Sequence, residues 1–236
     1  MKEKIYLLPG LMTDDRLWKR LKPFLEDDFE LIHLSLPLTD DFKEASRELS
    51  KTIKDEKINL LGFSLGAYFA AHFTINNPNR VNRLFLVAGT ASEMTKDEIE
   101  KRKQSLSLAR NLKFKGLSDK KVHSLIEESN KNDEELIKTI KDMFIDLGQD
   151  IYNIQMNSTF KRKDLHKEMI SLHLPIRIFY STKDILLNHN SLDKFTSEHK
   201  HIIKVSREGT SHMLPLDVPK ELNLQIREWM KIKIRS

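Results

Sequence analysis

The sequence predicts an α/β fold: a mostly parallel central sheet of about six strands, flanked by helices and interrupted by a helical insertion. Three observations lead there. Short apolar runs alternate with longer helical patterns over residues 1–90 and again over 174–236, the signature of a parallel sheet covered by helices. The runs are nearly continuous in hydrophobicity, as strands buried on both faces are. Between about 91 and 173 the alternation stops, and no proline occurs between Pro78 and Pro175.

The strand runs are residues 4–8, 30–36, 58–63, 83–88, 176–180 and 201–205, each short and rich in β-branched residues, Leu or Phe. After the first, Thr13 is placed to cap a helix with Asp14 and Asp15 in its first turn and Leu17, Trp18, Leu21 and Leu25 on one side. Residues 65–77 are apolar around most of the circumference and stop at Pro78, which predicts a helix buried against the sheet. The last helix, 220–232, carries Leu222, Leu224, Ile226, Trp229 and Met230.

The insertion has three apolar groupings: Leu106, Leu108, Leu112 and Phe114; Val122, Leu125 and Ile126; Leu136, Ile137, Ile140, Met143, Phe144 and Leu147. They predict three or four amphipathic helices. The expected organisation is a core of 1–90 with 174–236 and a helical cap of 91–173.

Composition narrows the function classes. With 39% hydrophobic and 32% charged residues in 236, the chain can bury one large core. The net charge of +5 is not a nucleic-acid footprint. Lys plus Arg against Asp plus Glu stand at 13 to 13 over residues 1–90, 15 to 14 over 91–165 and 12 to 8 over 166–236, with no basic stripe on a recognisable module. The absence of cysteine removes disulfides, thiolate metal sites and a Cys nucleophile together. Neither an H-E-x-x-H motif nor another metal-ligand spacing occurs, so no metal or cofactor is expected. No apolar run approaches the roughly 20 residues of a membrane span. The first apolar run is broken by Pro9-Gly10 and reads as a strand, so the expectation is a cytoplasmic protein without a membrane or nucleic-acid partner.

Gly62-Phe63-Ser64-Leu65-Gly66 lies where a predicted strand gives way to the apolar helix, the setting that gives a G-x-S-x-G match its meaning. In such a tight turn the serine hydroxyl is pushed out of the sheet. A hydroxyl needs a base, and His212 follows the last strand in the loop Arg207-Glu208-Gly209-Thr210-Ser211. That loop opens at the carboxyl edge of the sheet, on the rim expected for Ser64. His33 and His72 fall within a strand and a helix; His189, His199 and His201 read as surface residues. The imidazole in turn needs a carboxylate to fix its tautomer. Asp184, after the strand 176–180, gives the order Ser…Asp…His, with Glu93 and Glu208 as rivals.

A tetrahedral oxyanion would need two donors: the N–H of Leu65, next to the serine, and that of Leu11 in the Pro9-Gly10-Leu11-Met12 turn. Five of the seven glycines, Gly10, Gly62, Gly66, Gly89 and Gly209, fall at or just beyond the carboxyl ends of predicted strands, the edge where open α/β sheets bind ligands. Phe63, Leu11 and Met12 suggest an apolar pocket beside Ser64, and Arg162, with Lys163, is placed to meet an anionic group.

With these residues in view, the chain resembles the α/β-hydrolase superfamily. The likeness is to its small-cap, esterase-like members, grouped with lactonases, pimeloyl-ester carboxylesterases and the menaquinone-pathway lyase. The matching stretches are Leu7-Leu8-Pro9-Gly10-Leu11 through Trp18, the 62–66 elbow, residues 180–184, and Gly209 through Pro219 with His212-Met213-Leu214-Pro215. Two positions depart from that pattern: Pro9 stands where many members have histidine, and Ser211 where glycine often precedes the histidine. The resemblance implies a serine hydrolase acting on a small-molecule ester, thioester or lactone. It also leaves open lyase or carbon–carbon hydrolase chemistry and a non-catalytic ligand-binding homologue. An aspartate nucleophile, as in dehalogenases, is not what Ser64 offers.

Overall fold

The computed structural model describes residues 2–111, 114–195 and 199–234. Strands β1 (Glu3–Leu8), β2 (Phe29–His33), β3 (Ile58–Phe63), β4 (Val81–Val87), β5 (Ile176–Ser181) and β6 (Ile202–Arg207) form one sheet in the order β2-β1-β3-β4-β5-β6. Every pairing is parallel. The chain steps from β1 outward to β2, then returns to lay β3 on the other side of β1. This reversal makes a crevice at the carboxyl ends of β1 and β3, where open α/β sheets accept ligands.

The helices in chain order are α1 (Phe42–Thr52), α2 (Leu65–Asn76), α3 (Lys96–Asn111), α4 (Asp119–His123), α5 (Glu134–Phe160), α6 (His166–Ile170), α7 (His189–Leu192), α8 (Leu214–Asp217) and α9 (Pro219–Met230). Helix α2 is buried around most of its surface, as its sequence predicts. One apolar cluster joins it and α1 to one face of the sheet through Phe42, Leu49, Tyr68, Phe69 and Phe73. The other face packs Leu61, Phe85 and Phe179 against Trp229 of α9 and against Val122, Ile140 and Met143 of the helical segment. The sheet is therefore the middle layer of three.

Five expectations are corrected. The second strand stops at His33 because β1 ends at Leu8 and offers no further partner; the last link is the Leu34 N–H to Leu7 O, 2.9 Å, and Pro37 follows. The edge strands β2 and β6 are only partly buried, whereas β3 is buried throughout.

Thr13 caps no helix. Asp14 caps a single 3-10 turn, Asp15–Trp18, and a second turn, Lys22–Phe24, begins around Pro23, which has no N–H to continue a longer helix. Thr13 Oγ1 instead accepts the Gly10 N–H at 2.7 Å, while Leu17, Trp18, Leu21 and Leu25 are buried as expected.

In the last helix, which runs Pro219–Met230, Leu224 is 59% exposed. It lies off the face formed by Leu222, Ile226 and Trp229.

Between β4 and β5 the described residues hold α3 to α6 and no strand. Helix α5 is interrupted at Gly148, whose φ of 75° and ψ of 178° leave the helical region. Of the apolar residues expected here, Leu108 is exposed and Leu112 lies outside the described residues. Among the described residues no helix is long and apolar enough to cross a membrane.

Candidate active site

Ser64 sits between β3 and α2 with φ 52° and ψ −115°, a strained conformation for a residue with a Cβ. The surrounding backbone imposes it. A Cβ on Gly66 would stand 2.1 Å from Pro9 O, and one on Gly62 2.3 Å from Gly66 O. The elbow is thus pressed against the turn that follows β1, and only glycine permits the approach. Met12 (φ 54°) and Ala88 (φ 47°) are the other described non-glycine residues with positive φ, and both lie at this carboxyl edge.

The structure brings the three sequence-predicted polar residues into one hydrogen-bonded line. His212 Nε2 is 2.9 Å from Ser64 Oγ, and His212 Nδ1 is 2.7 Å from Asp184 Oδ2. Asp184 is 1% exposed and His212 5%. An ionised carboxylate only accepts, so Nδ1 carries the proton and Nε2 is left to accept from the serine. Asp184 is itself oriented by the Leu186 N–H, 2.9 Å from Oδ1. The Phe63 ring lies 5.3 Å from the imidazole, centroid to centroid. The rival carboxylates are elsewhere: Glu93 is exposed and Glu208 pairs with Lys183 at 2.5 Å.

In the turn after β1 the N–H groups of Gly10, Met12 and Thr13 are already engaged, with Thr13 Oγ1, Gln155 Oε1 and Gly10 O respectively. The Leu11 and Leu65 N–H groups have no acceptor among the described residues. Leu65 also opens α2, where the helix dipole favours negative charge. Leu65 follows Ser64 in the chain and Leu11 lines the same cavity as Ser64; unpaired N–H donors are what an oxyanion requires.

A cavity of about 740 Å³ opens on this line of residues. Leu11, Met12, Phe63, Ser64 and His212 line it together with Phe144, Tyr152 and Met156 of α5. Arg102 and Lys121 also face it. Burial holds the Arg102 guanidinium below its ordinary value against the pull of Glu98. Lys121 is lowered by loss of water around its ammonium and then by repulsion from Arg102. Among the described residues no group of His, Asp or Glu is arranged to hold a metal ion.

Arg162 is corrected by the structure, since it is not part of the cavity wall. Its guanidinium donates to Ser92 O at 2.6 Å and Thr90 Oγ1 at 3.1 Å and lies 4.8 Å from the Tyr68 ring centre. Burial, then repulsion from Arg102, lowers it to about 10. It ties the end of α5 to the loop after β4, because carbonyls there are nearer than any ligand space. His189, expected on the surface, lines the cavity with Nε2 2.9 Å from Asp184 O.

Sequence reasoning missed Glu127. Its Oε1 accepts the Thr210 and Ser211 N–H groups, each at 3.1 Å, and its carboxylate pairs with Arg207. Leu125 O accepts the N–H groups of His212 and Met213 at 2.9 and 3.1 Å. The helical segment therefore holds the loop that carries His212. No motif marks a lone glutamate some 80 residues away. Burial alone would raise the Glu127 carboxyl, but Arg207 and the Ser211 and Thr210 N–H groups outweigh it and hold it below its ordinary 4.5.

A depressed carboxyl contributes stability above its unfolded value and loses it as pH falls through the lower folded value. Glu127→Ala leaves the partly buried Ser211 N–H without its acceptor and should cost about 1 kcal/mol. In denaturant titrations across pH, the gap from wild type should be full above about 4.5 and shrink below it. A gap constant through that range would show that the carboxylate charge is not what holds the loop.

The model for the alpha/beta hydrolase fold matches residues 5–219. No curated protein matches the sequence. Among solved structures, a thermophilic esterase from Thermogutta terrifontis, malate bound, is similar with a TM-score of 0.82 at 20% identity, over 98% of this chain and 90% of that one. The enol-lactonase from Burkholderia xenovorans LB400 gives 0.83 at 15%, over 98% and 92%. Carboxylesterase CesB from Bacillus subtilis gives 0.77 at 15%, over 99% and 85%. At these identities the structural likeness speaks for the fold, and with the family match over most of the length the chain belongs to the α/β-hydrolase fold family.

Proposed function

We propose that the protein is a serine hydrolase that cleaves a carboxylic ester, thioester or lactone of a small molecule through an acyl-serine intermediate. The observation that carries the reading is the Ser64–His212–Asp184 line, at 2.9 and 2.7 Å, opening on a largely apolar cavity. Ser64 Oγ attacks the acyl carbon as its proton passes to His212 Nε2, and the carbonyl oxygen becomes an oxyanion against the Leu11 and Leu65 N–H groups. On collapse, the carbon–heteroatom bond breaks and His212 returns the proton to the leaving group. Water then repeats the sequence on the acyl-serine, with His212 first taking a proton and then returning one to Ser64. Asp184 stabilises the imidazolium in both halves. Residues 91–173 act as the cap that shapes the acyl and alcohol sites. The esterase and lactonase named above support this class of reaction by likeness of fold.

Acid quenching during turnover of p-nitrophenyl acetate should leave one acetyl group on the peptide containing Ser64, seen by mass spectrometry. If aryl esters, thioesters and lactones all go unturned, the reading fails. Binding of an anionic enol without ester cleavage would then favour lyase chemistry on the same residues.

A further inference from the structure

We propose that the substrate carries an anionic group, a carboxylate or its equivalent, which Arg102 holds at the helical-segment side of the cavity. This inference rests on the ester-hydrolase reading for the reaction, but its observations are independent of Ser64.

Arg102 projects from α3 into the cavity shared with Ser64 and His212. Among the described residues its guanidinium has one hydrogen-bond partner, the Met156 thioether at 3.4 Å, which is a weak acceptor. Among the described residues no carboxylate lies within ion-pair distance of it. The arginines Arg16, Arg20, Arg83, Arg162, Arg177 and Arg207, by contrast, all donate to oxygen.

Glu98, one turn before Arg102 and also on the cavity wall, attracts the guanidinium but forms no ion pair with it among the described residues, because one of its oxygens is used in a helix cap. Its carboxylate accepts the Thr95 N–H at 2.7 Å while the Glu98 N–H donates to Thr95 Oγ1 at 3.2 Å, the reciprocal pair that caps the start of α3. Lys121 lines the same cavity and adds a second positive charge there.

A partly buried guanidinium with its fork of donors free is costly unless something pairs with it. Its planar donors match a carboxylate in two-point geometry. Around it, Met12, Leu106, Tyr152 and Met156 form a separate apolar cluster. The site thus suits a molecule with an apolar stretch between the scissile ester and the anion.

The test compares esters matched except for charge. In one arm the anion is on the acyl side, p-nitrophenyl hemiglutarate against p-nitrophenyl valerate. In the other it is on the alcohol side, 4-acetoxybenzoate against 4-methylphenyl acetate. The wild type should prefer the anionic member of at least one pair by tenfold or more in kcat/KM, chiefly through KM. In Arg102→Gln that anionic-to-neutral ratio should fall to about one or below, and Arg102→Lys should recover part of it. A wild-type ratio of one or less in both arms, or a ratio that survives Arg102→Gln, overturns the proposal.

Binding separates this inference from the reaction it rests on. Glutarate and benzoate are titrated calorimetrically into wild type and Arg102→Gln. Saturable binding lost in the variant upholds the anion site even if no ester is turned over. Absence of binding to the wild type overturns it even if neutral esters are hydrolysed.

Discussion

Replacing Ser64 by alanine is expected to lower kcat on any ester substrate by about 10⁶, the scale reached when a serine nucleophile is removed from a triad, and to abolish labelling by a fluorophosphonate probe. The expectation follows from what remains. His212 and Asp184 would still form their 2.7 Å bond, and the Leu11 and Leu65 N–H groups would still be without an acceptor among the described residues. The residue is then limited to general-base attack by water with oxyanion support, about 10³–10⁴ above solution chemistry.

Alanine at this φ of 52° retains the strain that serine bears, so the fold should survive and thermal unfolding should move little. Wild-type protein should take up one phosphonyl group, on Ser64. Ser64 is hydrogen-bonded to the buried His212, and an unactivated hydroxyl reacts too slowly to compete. Labelling that persists in Ser64→Ala, or activity within tenfold of wild type, would place the nucleophile elsewhere.

The sequence made the interior of this architecture legible because both signals there are local. A strand buried on both faces must be apolar throughout, as in Ile58–Phe63, and an elbow must have glycines where backbones touch, as at Gly62 and Gly66. Chain order then placed Asp184 and His212 on the same rim as Ser64, since a parallel sheet puts every strand's carboxyl end on one edge.

What stayed illegible depends on contacts between distant segments. Arg162 and Arg102 look alike in sequence, and of the two only Arg162 was expected to meet an anion. Only packing shows that the former donates to Thr90 and Ser92 and that the latter faces the cavity. Met12 carries a positive φ that no residue type would signal. Gln155, 143 positions away, accepts its N–H. Edge strands blur for a related reason: β2 has a neighbour on one side only, so its apolar run continues past the point where pairing ends.

Asp184→Asn is expected to lower kcat by about 10⁴, or roughly 5.5 kcal/mol of transition-state stabilisation, while leaving the fold intact. The carboxylate has two acceptor oxygens and both are in use, Oδ2 with His212 Nδ1 at 2.7 Å and Oδ1 with the Leu186 N–H at 2.9 Å. In asparagine only one position remains an oxygen. If that oxygen keeps the Leu186 N–H, the amide NH₂ faces the imidazole, which must then accept at Nδ1 and carry its proton on Nε2. The Ser64 proton would have no acceptor, and the imidazolium no counter-charge. Rapid kinetics on p-nitrophenyl acetate should show acylation slowed by the full factor, with KM changed far less because Asp184 touches no part of the cavity.

Glu208→Gln is the informative control. Glu208 is exposed and pairs with Lys183, and an ion pair that is fully solvated contributes little. Its loss should change kcat less than threefold. Should Asp184→Asn keep a tenth of wild-type turnover while Glu208→Gln or Glu93→Gln is crippled, the carboxylate partner of His212 in the working enzyme is not the one it meets in this structure.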